Sequence, residues 1–90
     1  MSKCLTCIVH GKVQGVSFRD YTRECARKLA LVGTVRNCPD ETVEVIAEGE
    51  ESALKAFILA LKTKYPYVKI TGIDEVWSDA VGSYTDFRIL

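Results

Sequence analysis

Gly11-Lys12-Val13-Gln14-Gly15-Val16-Ser17-Phe18-Arg19 is the stretch whose residue types and spacing point to chemistry. A short apolar run, Leu5–Val9, precedes it, and Arg19–Leu31 carries a helical apolar period. A glycine-bounded loop between a strand and a helix can aim several backbone N–H groups at one point. The N-terminus of the following helix adds about half a positive charge there, which makes such a loop an anion cradle. Arg19 falls in the first turn of that helix, where its planar fork can close on a phosphate or carboxylate with two parallel hydrogen bonds. The expected chemistry is binding of a phosphoryl group. The competing reading is an ordinary strand-to-helix loop with a surface arginine, because a short glycine motif alone is weak evidence.

The elements that must hold this loop follow along the chain. Cys4–His10, rich in Leu, Ile, Val and Thr, predicts a mostly buried strand. Ser17 with Asp20 three residues on predicts a capping box. Phe18, Tyr21, Cys25, Leu29 and Val32, with Thr22 and Ala26 beside them, trace one apolar helix face, and Glu24 and Lys28 pair at i,i+4 on the other. Gly33 is expected as the left-handed stop after this helix. Thr34–Asn37 and Thr42–Glu48 read as the strands of a hairpin across the turn Cys38-Pro39-Asp40-Glu41, with Gly49 ending the second strand. Glu50, Glu51 and Ser52 open a second helix whose apolar residues are Ala53, Leu54, Phe57, Ile58 and Leu61. Val68–Trp77 reads as a strand with Gly72 as a bulge, and Tyr84–Leu90 as a short terminal strand. Right-handed crossovers place both helices on one face of the sheet. The order therefore predicts an α+β, ferredoxin-like split βαβ sandwich. Its sheet has four main antiparallel strands in the order 4-1-3-2 and a short C-terminal edge strand.

With 48% hydrophobic and 27% charged residues, the 90-residue chain fits one soluble domain spanning 1–90. No apolar run approaches the roughly 20 residues of a membrane span, and the start is too short and polar for a signal peptide. A cytoplasmic location is expected, with no membrane partner. Charge is balanced overall but uneven: residues 1–37 carry a net +5 and residues 38–90 a net −5. The positive half favours a small anion, and the overall balance argues against nucleic acid. The central strands of the expected sheet contain no aromatics, which removes the base-stacking platform of RNA-binding relatives of this fold. Cys4-x-x-Cys7 invites a metal or redox reading, but residues three apart on a strand face opposite ways, and no second Cys or His pair completes a zinc set. Reduced, unpaired thiols are expected at Cys4, Cys7, Cys25 and Cys38. Arg23 and Arg27 read as a solvated face, His10 as structural, and Tyr21, Phe57 and Trp77 as core or half-buried anchors.

Taken together, Gly11-x-Val13-Gln14-Gly15-Val16-x-Phe18-Arg19 resembles the signature of the acylphosphatase family. A second block, Gly33-x-Val35-x-Asn37, Pro39-Asp40-x-Thr42-Val43-Glu44-Val45 and Ala47-Glu48-Gly49, resembles that family's second conserved stretch at the expected distance. Asp86-Phe87-Arg88-Ile89 resembles its last strand, so the likeness runs essentially end to end.

The resemblance implies a metal-independent, monomeric hydrolase without cofactors, cleaving the carboxyl–phosphate bond of small acylphosphates to a carboxylate and inorganic phosphate. It places the catalytic arginine on Arg19 and the catalytic asparagine on Asn37, which otherwise reads as a strand-end residue before a bend. It places the phosphate-holding amides on Gln14, Gly15, Val16, Ser17, Phe18 and Arg19. These roles suit a substrate that brings its own good leaving group, where positioning and charge neutralisation are the main tasks. Asn37 would orient water but cannot act as a base at neutral pH, so the substrate phosphate is expected to take the proton. Three positions depart from the family pattern. Thr34 replaces a common aromatic, Asp20 puts a negative charge beside Arg19, and Glu41 replaces a turn glycine, predicting a turn without a left-handed residue. The alternative function is an anion-binding or regulatory module of the same fold without turnover.

Overall fold

The structure, a computed structural model, describes residues 2–15 and 17–90; Val16, one of the expected phosphate-binding positions, lies outside the described residues. The chain runs β1 (Ser2–Lys12), α1 (Phe18–Lys28), β2 (Val32–Asn37), β3 (Val43–Glu50), α2 (Glu51–Thr63), β4 (Lys69–Asp79) and β5 (Phe87–Ile89). The sheet order is β4-β1-β3-β2-β5. The first four strands pair antiparallel in the expected 4-1-3-2 order, and β5 adds to the free edge of β2 in parallel.

Strand alternation explains the core. Leu5, Cys7 and Val9 of β1, Val43, Val45 and Ala47 of β3, and Val35 of β2 point to one face and are buried. Against them lie Phe18, Thr22 and Ala26 of α1 and Leu54, Phe57, Ile58 and Leu61 of α2. Phe87 of β5 closes this layer edge-on to Phe57, with ring centroids 6.2 Å apart. Cys7 belongs to the same core, and burial pushes its thiol up to about 12. Cys4, on the opposite face of β1, is only half-buried. Trp77, expected as an anchor, is instead exposed on β4.

Several local expectations are corrected. Helix α1 ends earlier than expected, and its stop is Ala30 rather than Gly33. Ala30 adopts φ 57°, with Ala30 N–H donating to Arg27 O (3.1 Å) and Leu31 N–H to Ala26 O (2.9 Å). This pair of bonds satisfies the last carbonyls, and it outweighs the strain of a left-handed alanine. Gly33 serves the sheet instead: at φ 145° in β2, a Cβ there would lie 1.8 Å from Ile46 O, so the close strand approach requires glycine. Gly49 does not end β3, which continues to Glu50. The bulge falls one residue before Gly72. His10 pairs with Gly72 and Gly11 with Ile70, leaving Thr71 as the extra residue.

The Ser17–Asp20 capping box does not form. Ser17 takes φ 58°, ψ 24° with no side-chain cap bond, and Asp20 Oδ1 accepts from Arg23 Nη2 at 3.3 Å. The chain enters α1 through a left-handed residue at the N-cap position, where the Ser17 carbonyl accepts from Tyr21 N–H (3.1 Å) but its side chain caps nothing. The expected pair Glu24–Lys28 is present at 3.4 Å, and Arg27 joins α1 to Asp86 at 3.0 Å. His10 sits across the β1–β4 ladder from Asp74, Nε2 to Oδ2 at 2.8 Å, in keeping with a structural role.

Candidate active site

The C-terminal end of β1 and the N-terminal turn of α1 bring Gly15, Ser17 and Arg19 to the rim of a recess of about 330 Å³, and the end of β2 brings Asn37 to the same recess. Val13, Phe18 and Ile89 supply its apolar wall, and Val13 and Phe18 are almost wholly buried. A water occupies about 30 Å³ of liquid volume, so the recess has room for a phosphoryl group and attendant water. Backbone geometry shapes the rim: Gly15 sits at φ 80° and Ser17 at φ 58°, both in the left-handed region that suits tight turning of the chain. Successive peptide N–H groups in such a turn line a concave, electropositive surface.

Arg19 is half-buried, and its Nη1 reaches the main-chain oxygen of Leu90 at 3.4 Å. No Asp or Glu side chain of the described residues pairs with it, so only that long contact to the last residue competes with an anion for its charge. Asp20 also borders the recess, but its carboxylate is engaged by Arg23. Asn37 Oδ1 is buried and accepts no hydrogen bond from the described residues. A buried acceptor without a protein partner is costly, and this one belongs to a residue lining the recess.

Gln14 behaves differently from its neighbours in the loop. Its side chain leaves the recess, and Nε2 donates to Cys38 O (3.0 Å) and Thr42 O (2.8 Å). The loop is thereby fastened to the turn that follows Asn37. That turn has its own lock: Cys38 N–H donates to Thr42 O (2.9 Å), Glu41 N–H to Cys38 O (3.1 Å), and Asp40 Oδ1 accepts from both the backbone N–H (3.1 Å) and the hydroxyl (2.6 Å) of Thr42. Those two bonds hold the Asp40 carboxyl below its ordinary value of 3.8, the Thr42 hydroxyl contributing most. Contrary to expectation, Glu41 carries φ 72°. A turn followed by one left-handed residue is a common three-residue hairpin connection, and here the hydrogen bonds around it enforce that geometry on a glutamate.

The lock formed by Gln14, Asp40 and Thr42 was not expected from sequence as a unit. Pro39-Asp40 signalled the turn, but nothing in the order of residues placed Gln14 against it. Replacing Gln14 by Glu turns a double donor into an acceptor facing two carbonyls. Loss of two part-buried hydrogen bonds, at about 1 kcal/mol each, with added repulsion predicts destabilisation of about 2–4 kcal/mol. Gln14→Ala should lose about 1–2 kcal/mol. Urea unfolding midpoints of the two variants check this ordering.

Fold and recess together define a ferredoxin-like α+β sandwich with a recess between the start of α1 and the end of β2. The sequence profile of the acylphosphatase family matches residues 5–89. An acylphosphatase of Dehalococcoides mccartyi is 44% identical over 87 residues, covering 96% of each chain, and one of Treponema denticola is 45% identical, covering 97% of this chain and 92% of its own. The crystal structure of acylphosphatase from Bacillus subtilis superimposes with a TM-score of 0.93 at 39% identity, covering 100% of this chain and 99% of that one. The chain belongs to the acylphosphatase family. Its reaction is hydrolysis of acylphosphates, releasing a carboxylate and inorganic phosphate.

Proposed function

We propose that the recess is where this hydrolysis occurs, with Arg19 and Asn37 as the catalytic pair and the amides of Gln14 through Arg19 as the phosphate cradle. The observation that carries this reading is the convergence on one recess of Arg19, which pairs with no Asp or Glu of the described residues, and the Asn37 carboxamide. Arg19 and the loop N–H groups neutralise the phosphoryl oxygens, a charge arrangement set before the reaction begins. The Asn37 carboxamide, on the recess wall, hydrogen-bonds the attacking water and holds it in line with the scissile bond. The water oxygen bonds to phosphorus, the phosphorus–acyl oxygen bond breaks, and the acyl carboxylate leaves with the bonding pair. The water proton passes to a phosphate oxygen, since Asn37 has no basic atom to receive it. No step calls for a metal ion or a covalent intermediate.

The protein acts on small acylphosphates as a cytoplasmic monomer, with no nucleic-acid or membrane partner. Zero net charge and aromatic-free central strands, β1 and β3, speak against nucleic acid. Asp74, Glu75 and Asp79 on the open edge of β4 discourage strand pairing between copies. The test is hydrolysis of benzoyl phosphate by chelator-treated protein. Turnover well above background, unchanged by added divalent cations, is expected. Loss of activity with the chelator would overturn the metal-independent route, and absence of activity under all conditions would overturn the enzyme reading.

A further inference from the structure

The charges along the β1–β4 ladder are matched except at the end nearest the active site. Lys3 pairs with Asp79 at 3.0 Å and His10 with Asp74 at 2.8 Å. Lys12, however, stands directly opposite Lys69 in the register. Like charges opposite one another on adjacent strands destabilise a sheet, and neither lysine has an ion-pair partner among the described residues. Such a local conflict in an otherwise consistent ladder marks a position kept for function.

Both lysines line a second recess, of about 660 Å³, together with Gln14, Glu41 and the exposed ring of Tyr67. Val13 is part of the wall of this recess and of the one holding Arg19 and Asn37, so the two adjoin across the cradle loop. Glu41 is the single acid in the lining, against two lysines, and leaves the recess net positive. Through this shared wall the space lies next to a phosphoryl group held at Arg19, within reach of its acyl portion.

Resting on the reading of the Arg19–Asn37 recess as the reaction site, we propose that the Lys12–Lys69 recess is an acyl-group subsite. It selects acylphosphates whose acyl chain ends in a second anionic group, a carboxylate or a phosphonate-like group. Tyr67 covers the intervening methylenes, and the two ammonium groups relieve their mutual repulsion by sharing the terminal anion.

The test compares kcat/KM for butyryl phosphate, glutaryl phosphate and 4-phosphonobutanoyl phosphate, which share a chain of similar length, in wild type, the double variant Lys12→Gln/Lys69→Gln, and Glu41→Gln. The double variant should lose about tenfold on the anionic-tailed substrates and less than twofold on butyryl phosphate. Glu41→Gln should raise the preference for anionic tails. A larger loss for the phosphonate tail assigns the subsite to dianionic ends, and a larger loss for glutaryl phosphate assigns it to carboxylates. An equal loss on all three substrates, which general attraction of phosphates would produce, overturns the proposal. So does no loss on any of them. Backbone amide NMR shifts at Lys12 and Lys69, read during titration with glutarate and with butyrate, test the subsite without turnover. Selective response to glutarate supports it even if hydrolysis fails, and equal or absent responses overturn it.

Discussion

Asn37→Ala should lower kcat for benzoyl phosphate by about 10²- to 10³-fold, the scale set by losing a group that orients a reactant or stabilises the transition state. Phosphate inhibition should stay within about threefold of wild type, because the carboxamide is assigned to water and not to the anion. Stability supplies an independent readout. Asn37 Oδ1 is buried without a partner among the described residues, so its removal relieves desolvation worth about 1 kcal/mol. The variant should therefore melt no lower than wild type, and by that figure roughly 4–8 °C higher for a domain of this size. An inactive protein that is more stable than its parent is the expected signature of a residue held for catalysis against its local interest. If activity and melting temperature fell together, Asn37 would be a structural residue, and the water-positioning role would fail.

Arg19→Gln should lose kcat/KM by about 10³-fold, or roughly 4 kcal/mol of transition-state stabilisation, and phosphate affinity should fall with it. The coupling of the two losses separates Arg19 from Asn37: the guanidinium touches the phosphoryl group in ground state and transition state alike, and the carboxamide acts mainly on the nucleophile. The side chain makes one long bond, 3.4 Å to Leu90 O, so the unfolding free energy should change by less than about 1 kcal/mol. Arg19→Lys should recover only part of the loss, because an ammonium cannot reproduce a planar, two-pronged contact. Full rescue by lysine would show that charge alone suffices.

The fold was legible because hydrophobic period and turn chemistry agree over most of the chain. Leu5, Cys7 and Val9 alternate in β1, and Leu54, Phe57, Ile58 and Leu61 recur at helical spacing in α2; both sets are buried. Errors gathered where long-range bonds overrule local preference. Gly33 carried a helix-stop signal, yet the register with Ile46 claims it for the sheet, and Ala30 takes the left-handed position with its two C-cap bonds. Ser17 had the look of a capping side chain, but it takes a left-handed conformation and its side chain makes no cap bond. Glu41 was expected to avoid positive φ, a conformation costing of order 1–3 kcal/mol for a residue other than glycine. The bonds among Gln14, Cys38, Asp40 and Thr42 hold it there, and two of them come from a residue more than twenty positions away.

The candidate site drew on different signals. Arg19 and its loop announce an anion from first principles, because glycines, a helix N-terminus and a guanidinium share one chemistry. Asn37 does not: before a proline-containing turn it is an ordinary residue, and only the family resemblance singled it out. The structure adds what sequence order hides, namely that the end of β2 and the start of α1 border one recess, and that Gln14 braces the two halves against each other.

A crystal structure of the protein soaked with inorganic phosphate is the most direct test of the central claim. The account predicts phosphate oxygens within hydrogen-bond distance of backbone N–H groups between residues 15 and 19 and of the Arg19 guanidinium. It also predicts a water held between the Asn37 carboxamide and the bound phosphate. Phosphate bound elsewhere, or bound in the recess with Asn37 turned away from it, would contradict the account.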